Sequence, residues 1–141
     1  QSEKQAYIVT DLRERVERYP NDLRLRYEYG VALYRNSNIN EAIQQFQSSQ
    51  RSPKDRTSSL YHLGLCFIEK EQYDLAAQQL ETAASEIVTM DRTKKDILYE
   101  LGALHEKMGK PDDALGYFKQ IYQVDIGFRD VANKVEEEYR A

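Results

Sequence analysis

Three stretches of this chain repeat one pattern, and that repeat restricts the fold more than any single residue does. Gly30, Gly64 and Gly102 are spaced by 34 and 38 residues. Twelve residues after each comes an alanine (Ala42, Ala76, Ala114), and four after each alanine a large apolar side chain, Phe46, Leu80 or Phe118. A period of 34 with small residues at helical spacing marks a stack of helix–turn–helix units, each burying its apolar face only against its neighbours. Glycine costs roughly 0.8 to 1 kcal/mol relative to alanine inside a helix, so its recurrence there requires a reason. Close approach of two helices supplies one.

The apolar spacing predicts an all-α chain of about seven helices forming a single domain over residues 1–141, with three antiparallel pairs flanked by one helix at each end. A leading helix covers 5–20, repeats follow over 23–53, 57–91 and 94–126, and a capping helix covers 128–140. The leading helix sets Ile8, Val9, Leu12 and Val16 on one side, and Pro20 stops it before Asn21 and Asp22, which can cap the next. It reads as the second half of a repeat or as a solitary cap. On the first reading its edge carries apolar area through which the chain could self-associate.

The first pair is expected over Leu23–Asn36 and Asn40–Gln50, with Asn40 as the N-cap of its second helix. The second is expected over Thr57–Lys70 and Gln72–Met90, where four additional residues either extend the second helix through Ile87 and Met90 or lengthen the loop. The third spans Lys94–Lys107 and Asp112–Val124, with Gly109 just past one helix, and Pro111, Asp112 and Asp113 opening the next. In the last helix Val131, Ala132 and Val135 form the inner stripe, and Glu136, Glu137 and Glu138 face water.

Charge and chemistry narrow the function. Twenty basic against 24 acidic residues give a net charge of −4, and no basic block reverses it locally, so nucleic acid is not an expected partner. No run of about 18 apolar residues is present, so no membrane insertion is expected. The opening Gln1, without methionine or a signal-like apolar run, points to a processed protein or a piece of a longer one. The one cysteine, Cys66, lies on an apolar helical face and reads as a small buried hydrophobe. His105 falls where an aromatic ring would pack, and His62 at a more exposed place. Neither has companions at metal-ligand spacing, and no phosphate loop or nucleophile motif occurs. We therefore expect no metal, no cofactor and no catalysis.

The repeated residues resemble the tetratricopeptide repeat. The second unit carries the pattern as Leu60, Leu63-Gly64, Phe67, Ala76, Leu80 and Ala83, and the third as Leu98, Leu101-Gly102, His105, Ala114, Phe118 and Ile121. The first is a weaker match, with Arg26, Tyr29-Gly30, Leu33, Ala42, Phe46 and Ser49. The resemblance implies a right-handed superhelix of helix pairs whose first helices line a concave groove. Tyr27, Val31 and Tyr34, then Tyr61, Leu65 and Ile68, then Asp96, Tyr99 and Glu100 would line that groove. Members that clamp terminal carboxylates do so with lysine, arginine and asparagine. The matching positions here are Tyr27, Val31, Leu65, Asp96 and Glu100, so that clamp is not expected, and the acids at one end would favour a basic ligand.

Of the 11 tyrosines, Tyr27, Tyr61 and Tyr99 recur at one place in each unit, where a ring can pack between units or meet a ligand. Two functions follow from the resemblance. One is a scaffold that holds a peptide or helix of another protein in the groove. The other is an assembly module that packs against a second copy or a flanking domain.

Overall fold

The computed structural model describes residues 3–140, and within them eight α-helices and one short 3-10 turn, with no strand among the described residues. The helices are α1 (Glu3–Arg18), α2 (Leu23–Arg35), α3 (Ile39–Ser49), α4 (Arg56–Glu69), α5 (Tyr73–Glu86), α6 (Arg92–Lys107), α7 (Pro111–Tyr122) and α8 (Val131–Glu136), the last running into the 3-10 turn Glu137–Tyr139. Three successive pairs with one helix before and one after is the expected arrangement, and it makes eight helices where about seven were expected. The chain forms two compact units, Gln1–Gln79 and Leu80–Ala141, with the boundary inside α5. Each is described by itself.

In the first unit Leu33, Ala42, Phe46 and Cys66 are fully buried, with Val9, Leu12 and Val16 of α1 closing one side. The close approach anticipated at glycine is present: a Cβ built on Gly30 would lie 2.8 Å from Phe46 Cε1. The second unit repeats this joint, with Gly102 against Phe118 Cε1 at 2.5 Å. Ile97, Leu101, Ile121 and Val131 are its fully buried aliphatic centre. Cys66 is inert, because burial, with Glu69 adding to it, pushes its thiol up to about 12.

The turn inside each hairpin is built alike. Ser37, Glu71 and Gly109 all take left-handed backbone, at φ 64°, 59° and 73°. The following N–H groups of Asn38, Gln72 and Lys110 reach back to the carbonyls of Leu33, Phe67 and His105 at 2.8, 2.9 and 2.9 Å. This is the bond that closes a Schellman helix end. Only the third turn carries the glycine that such backbone favours.

Helix starts divide into expected and corrected ones. Asp22 caps α2, its Oδ1 accepting from the Leu25 N–H at 2.9 Å, and Pro111 opens α7. Asn40 is not an N-cap, because α3 begins at Ile39 after Asn38. α5 does not run through Ile87 and Met90: it ends at Glu86, still three residues further than its counterpart α3. The β-branched run Ile87-Val88-Thr89 is a poor continuation of a helix. Asp91 instead caps α6 by accepting from the Lys94 N–H at 2.9 Å, while Lys94 Nζ donates to the Ile87 carbonyl at 2.9 Å. Val88 between them is 96% exposed. The capping helix is also shorter than expected, since Phe128 packs from the turn before it and Arg129 takes left-handed backbone at φ 45°.

Candidate functional site

The first unit presents one face on α2 and α4. Tyr27, Val31 and Tyr34 on α2 and Tyr61, Leu65 and Ile68 on α4 are all half-buried. Their centre is a residue the sequence placed elsewhere. His62 is not an exposed outlier: its ring stacks on Phe46 at 5.1 Å and meets the rings of Tyr27, Tyr34 and Tyr61 edge-on at 5.6, 6.3 and 5.6 Å. Its Nδ1 lies 2.9 Å from the Ser58 carbonyl, which can only accept, so that nitrogen carries the proton. Burial lowers the His62 pKa against the opposing pull of that hydrogen bond, and Arg35 lowers it further. The ring is thereby kept neutral as part of an aromatic cluster.

Beside this cluster lies a groove of ≈ 440 Å³ between α1 and α2. Gln5, Ile8 and Leu12 form one wall, and Tyr27, Val31 and Arg35 are on the other. Two further polar contacts tie the unit together at places the sequence did not single out. Arg24 Nη1 donates to the buried Asp55 carboxylate at 2.7 Å, and the Ser49 and Ser59 hydroxyls share a buried hydrogen bond of 2.6 Å. A carboxylate just before a helix, or a hydroxyl inside a helical apolar stripe, is the only sequence signal of such pairs, and it does not name the partner.

In the second unit the expected site residues are already engaged. The Tyr99 ring packs on Phe118 at 5.4 Å and Phe128 at 6.3 Å, and its hydroxyl donates to Asp130 Oδ1 at 2.6 Å. Burial foremost, then this bond to a carboxylate, pushes its pKa up to about 12. Arg129 lies over the Tyr99 ring at 4.5 Å and binds Asp96 at 2.9 Å and Glu100 at 3.5 Å. The acids therefore do not stand as a bare rim. Nor do the last three glutamates all face water: Glu136 accepts from the Tyr122 hydroxyl at 3.0 Å and Glu138 pairs with Lys119 at 2.7 Å. His105 is buried, as expected of a ring-packing position, with Nδ1 2.8 Å from the Leu101 carbonyl.

Among the described residues no group of three or more His, Cys, Asp or Glu could hold a metal ion, and no helix is long and apolar enough to cross a membrane. No protein of curated function matches the sequence. Solved structures of similar fold include MamA, at TM-score 0.78 and 18% identity over 93% of this chain and 74% of that one. PilF of Pseudomonas aeruginosa aligns at TM-score 0.78 and 20% identity over 96% of this chain and 63% of its own. YrrB, described as a TPR protein with an unusual peptide-binding site, aligns at 0.70 and 18% over 88% and 62%. Likeness at this identity establishes the fold. Sequence models of the tetratricopeptide repeat match residues 9–57, 58–86 and 96–124. With the paired helices and the Gly–Phe joints beneath them, these matches show that the chain belongs to the tetratricopeptide repeat family, a class of protein–protein interaction scaffolds.

Proposed function

We propose that the half-buried face of α2 and α4 receives a peptide or helix of another protein, with no catalytic step. The supporting observation is the aromatic cluster of Tyr27, Tyr34 and Tyr61 around His62, beside an open groove. Rigid rings with a polar edge contribute contact area at small entropic cost. Asp96, Tyr99 and Glu100 already hold Arg129 and Asp130, so the proposal rests on the first unit. Tyr27, Val31 and Leu65 offer no cation at the positions of a carboxylate clamp, and Arg35 is the cation that lines the groove. Isothermal titration against segments of co-purified proteins tests the reading. Tyr61→Ala is expected to cost about 1 to 2 kcal/mol of affinity, as aromatic anchors do. Unchanged affinity in a folded variant overturns it.

A second reading, an assembly module, draws on the inward contacts of Tyr27 and Tyr99 with Phe46 and Phe118 at 5.8 and 5.4 Å, which leave those rings serving the fold. Sedimentation velocity separates the two. A monomer at every concentration removes self-assembly.

A further inference from the structure

Three positions at which the third hairpin departs from the other two meet at one place. With the units aligned on Gly30, Gly64 and Gly102, Leu33 and Phe67 give way to His105, Gln44 and Gln78 to Gly116, and Gln45 and Gln79 to Tyr117. His105, Gly116 and Tyr117, with Asp112, Asp113 and Glu81, line a basin of ≈ 480 Å³ within the second unit. Gly116 differs in kind from Gly30 and Gly102. Those two have a ring lying against them, whereas a Cβ on Gly116 would have nothing within 4 Å. Glycine inside a helix weakens it, and no packing within the chain calls for this one. What it supplies is open space over α7.

We propose that this basin receives an arginine side chain of a partner protein. Its lining is rich in acceptors and holds no lysine or arginine. Asp112 and Asp113, in the first turn of α7, have no side-chain ion pair or hydrogen bond among the described residues, and Glu81 is engaged only by the Tyr117 hydroxyl, which donates to its Oε2 at 2.9 Å. The helix end is itself partly positive, but two carboxylates outweigh it. His105 adds an acceptor from α6. It is 7% exposed, and its Nδ1 lies 2.8 Å from the Leu101 carbonyl, so in the neutral ring the proton sits there and Nε2 keeps a free lone pair. Nε2 has no partner among the described residues and is not sealed from solvent; the basin is what it faces. A guanidinium answers this set because it has five N–H donors and no acceptor. Among the described residues no three of the histidine and acidic groups are placed to hold a metal ion, and acceptors so spread suit a planar fork better than a compact ion or the point charge of lysine. The Tyr117 ring, 5.0 Å from that of His105, offers the cation a flat face beside the bare backbone of Gly116. An adjoining basin of ≈ 230 Å³ shares Glu81 and Tyr117 and carries Ala84 and Leu98, which gives an apolar neighbour of the arginine a place and favours a protein segment over a free small cation. The site goes beyond the α2–α4 face and stands without it.

The test follows the amide NMR resonances of the isotopically labelled chain during titration with a short capped peptide carrying arginine then leucine, with its lysine counterpart, and with guanidinium alone. The arginine peptide is expected to shift Glu81, Gly116 and Tyr117 saturably with a Kd of about 1 mM or below, and to bind at least about threefold more tightly than the lysine peptide. Gly116→Gln restores the residue that the other units carry as Gln44 and Gln78, and is expected to abolish this binding. The substitution fills open space and raises helix propensity, so the variant stays folded, which urea unfolding checks. Asp113→Asn is expected to weaken binding about threefold, more at low salt. Any of three results overturns the proposal: no saturable shift at about 10 mM peptide, equal affinity for the lysine peptide, or binding that survives Gly116→Gln. Guanidinium alone binding as tightly as the peptide also overturns it and assigns the basin to a small cation. Tyr61→Ala is expected to leave this binding unchanged, so this site and the α2–α4 face fail separately.

Discussion

The first and third hairpins share one internal joint and differ in what lies against their first helices. Gly30 over Phe46 and Gly102 over Phe118 are the same contact, and Tyr27 and Tyr99 rest on those rings at 5.8 and 5.4 Å. Around α6, however, Phe128, Arg129, Asp130 and Lys134 engage Tyr99, Asp96, Glu100 and Glu106. Beside α2 the residues Ile8, Val31 and Arg35 border open space. The repeat therefore fixes the inside of a hairpin, while the residues that meet its outer face differ from one hairpin to the next.

If the joints are equivalent, removing the ring should cost the same in both. Phe46→Ala and Phe118→Ala are each expected to lose about 3 to 5 kcal/mol in urea unfolding. A difference above about 2 kcal/mol between them would break the equivalence. Overfilling is a finer probe, because a Cβ at Gly102 approaches its ring more closely than one at Gly30, 2.5 against 2.8 Å. Gly102→Leu and Gly30→Leu are expected to cost about 1 to 3 kcal/mol or more, with Gly102→Leu the larger.

The outer faces should separate where the joints do not. Arg129→Ala removes two ion pairs and two ring contacts, with Tyr99 and Phe128, and is expected to cost about 1 kcal/mol, less at high salt. Arg35 has no ion pair or hydrogen bond among the described residues, and Arg35→Ala is expected to stay within about 0.5 kcal/mol. Equal losses would show that the face of α6 is no better tied than the face of α2. The hairpin turns allow a gain instead: Ser37→Gly and Glu71→Gly relieve left-handed strain that Gly109 does not carry, and each is expected to add about 0.5 to 1 kcal/mol.

The smallest effect concerns pH. His62 has a lowered folded pKa, so the unfolded chain binds the proton more readily and stability rises with pH across the interval between the two values. Its contribution is complete above about 6.5, the ordinary histidine value, and is lost as the pH falls toward the lowered folded pKa. The groups facing the ring are Tyr27, Tyr34, Phe46 and Tyr61, with Arg35 the nearby cation. His62→Phe should flatten this part of a denaturation series measured between pH 7 and pH 5. A slope unchanged by the substitution assigns the pH dependence elsewhere.

The sequence by itself determined the helices, their pairing and the glycine joints, because apolar spacing states which side of a helix is buried and a glycine inside a helix must meet something close. It also determined the cap at Asp22 and the start at Pro111, which are local events. Only the tertiary structure decided that Asp96 and Glu100 hold Arg129, that Arg24 reaches Asp55, and that His62 rather than a tyrosine is the centre of the ring cluster. Such partners lie roughly thirty residues apart, and their meeting depends on the angle and register at which helices cross. The left-handed backbone at Ser37 and Glu71 was hidden for the related reason that packing on either side of a turn imposes a conformation the residue itself disfavours. Periodicity records the burial of each helix, whereas contact between helices is a property of their arrangement.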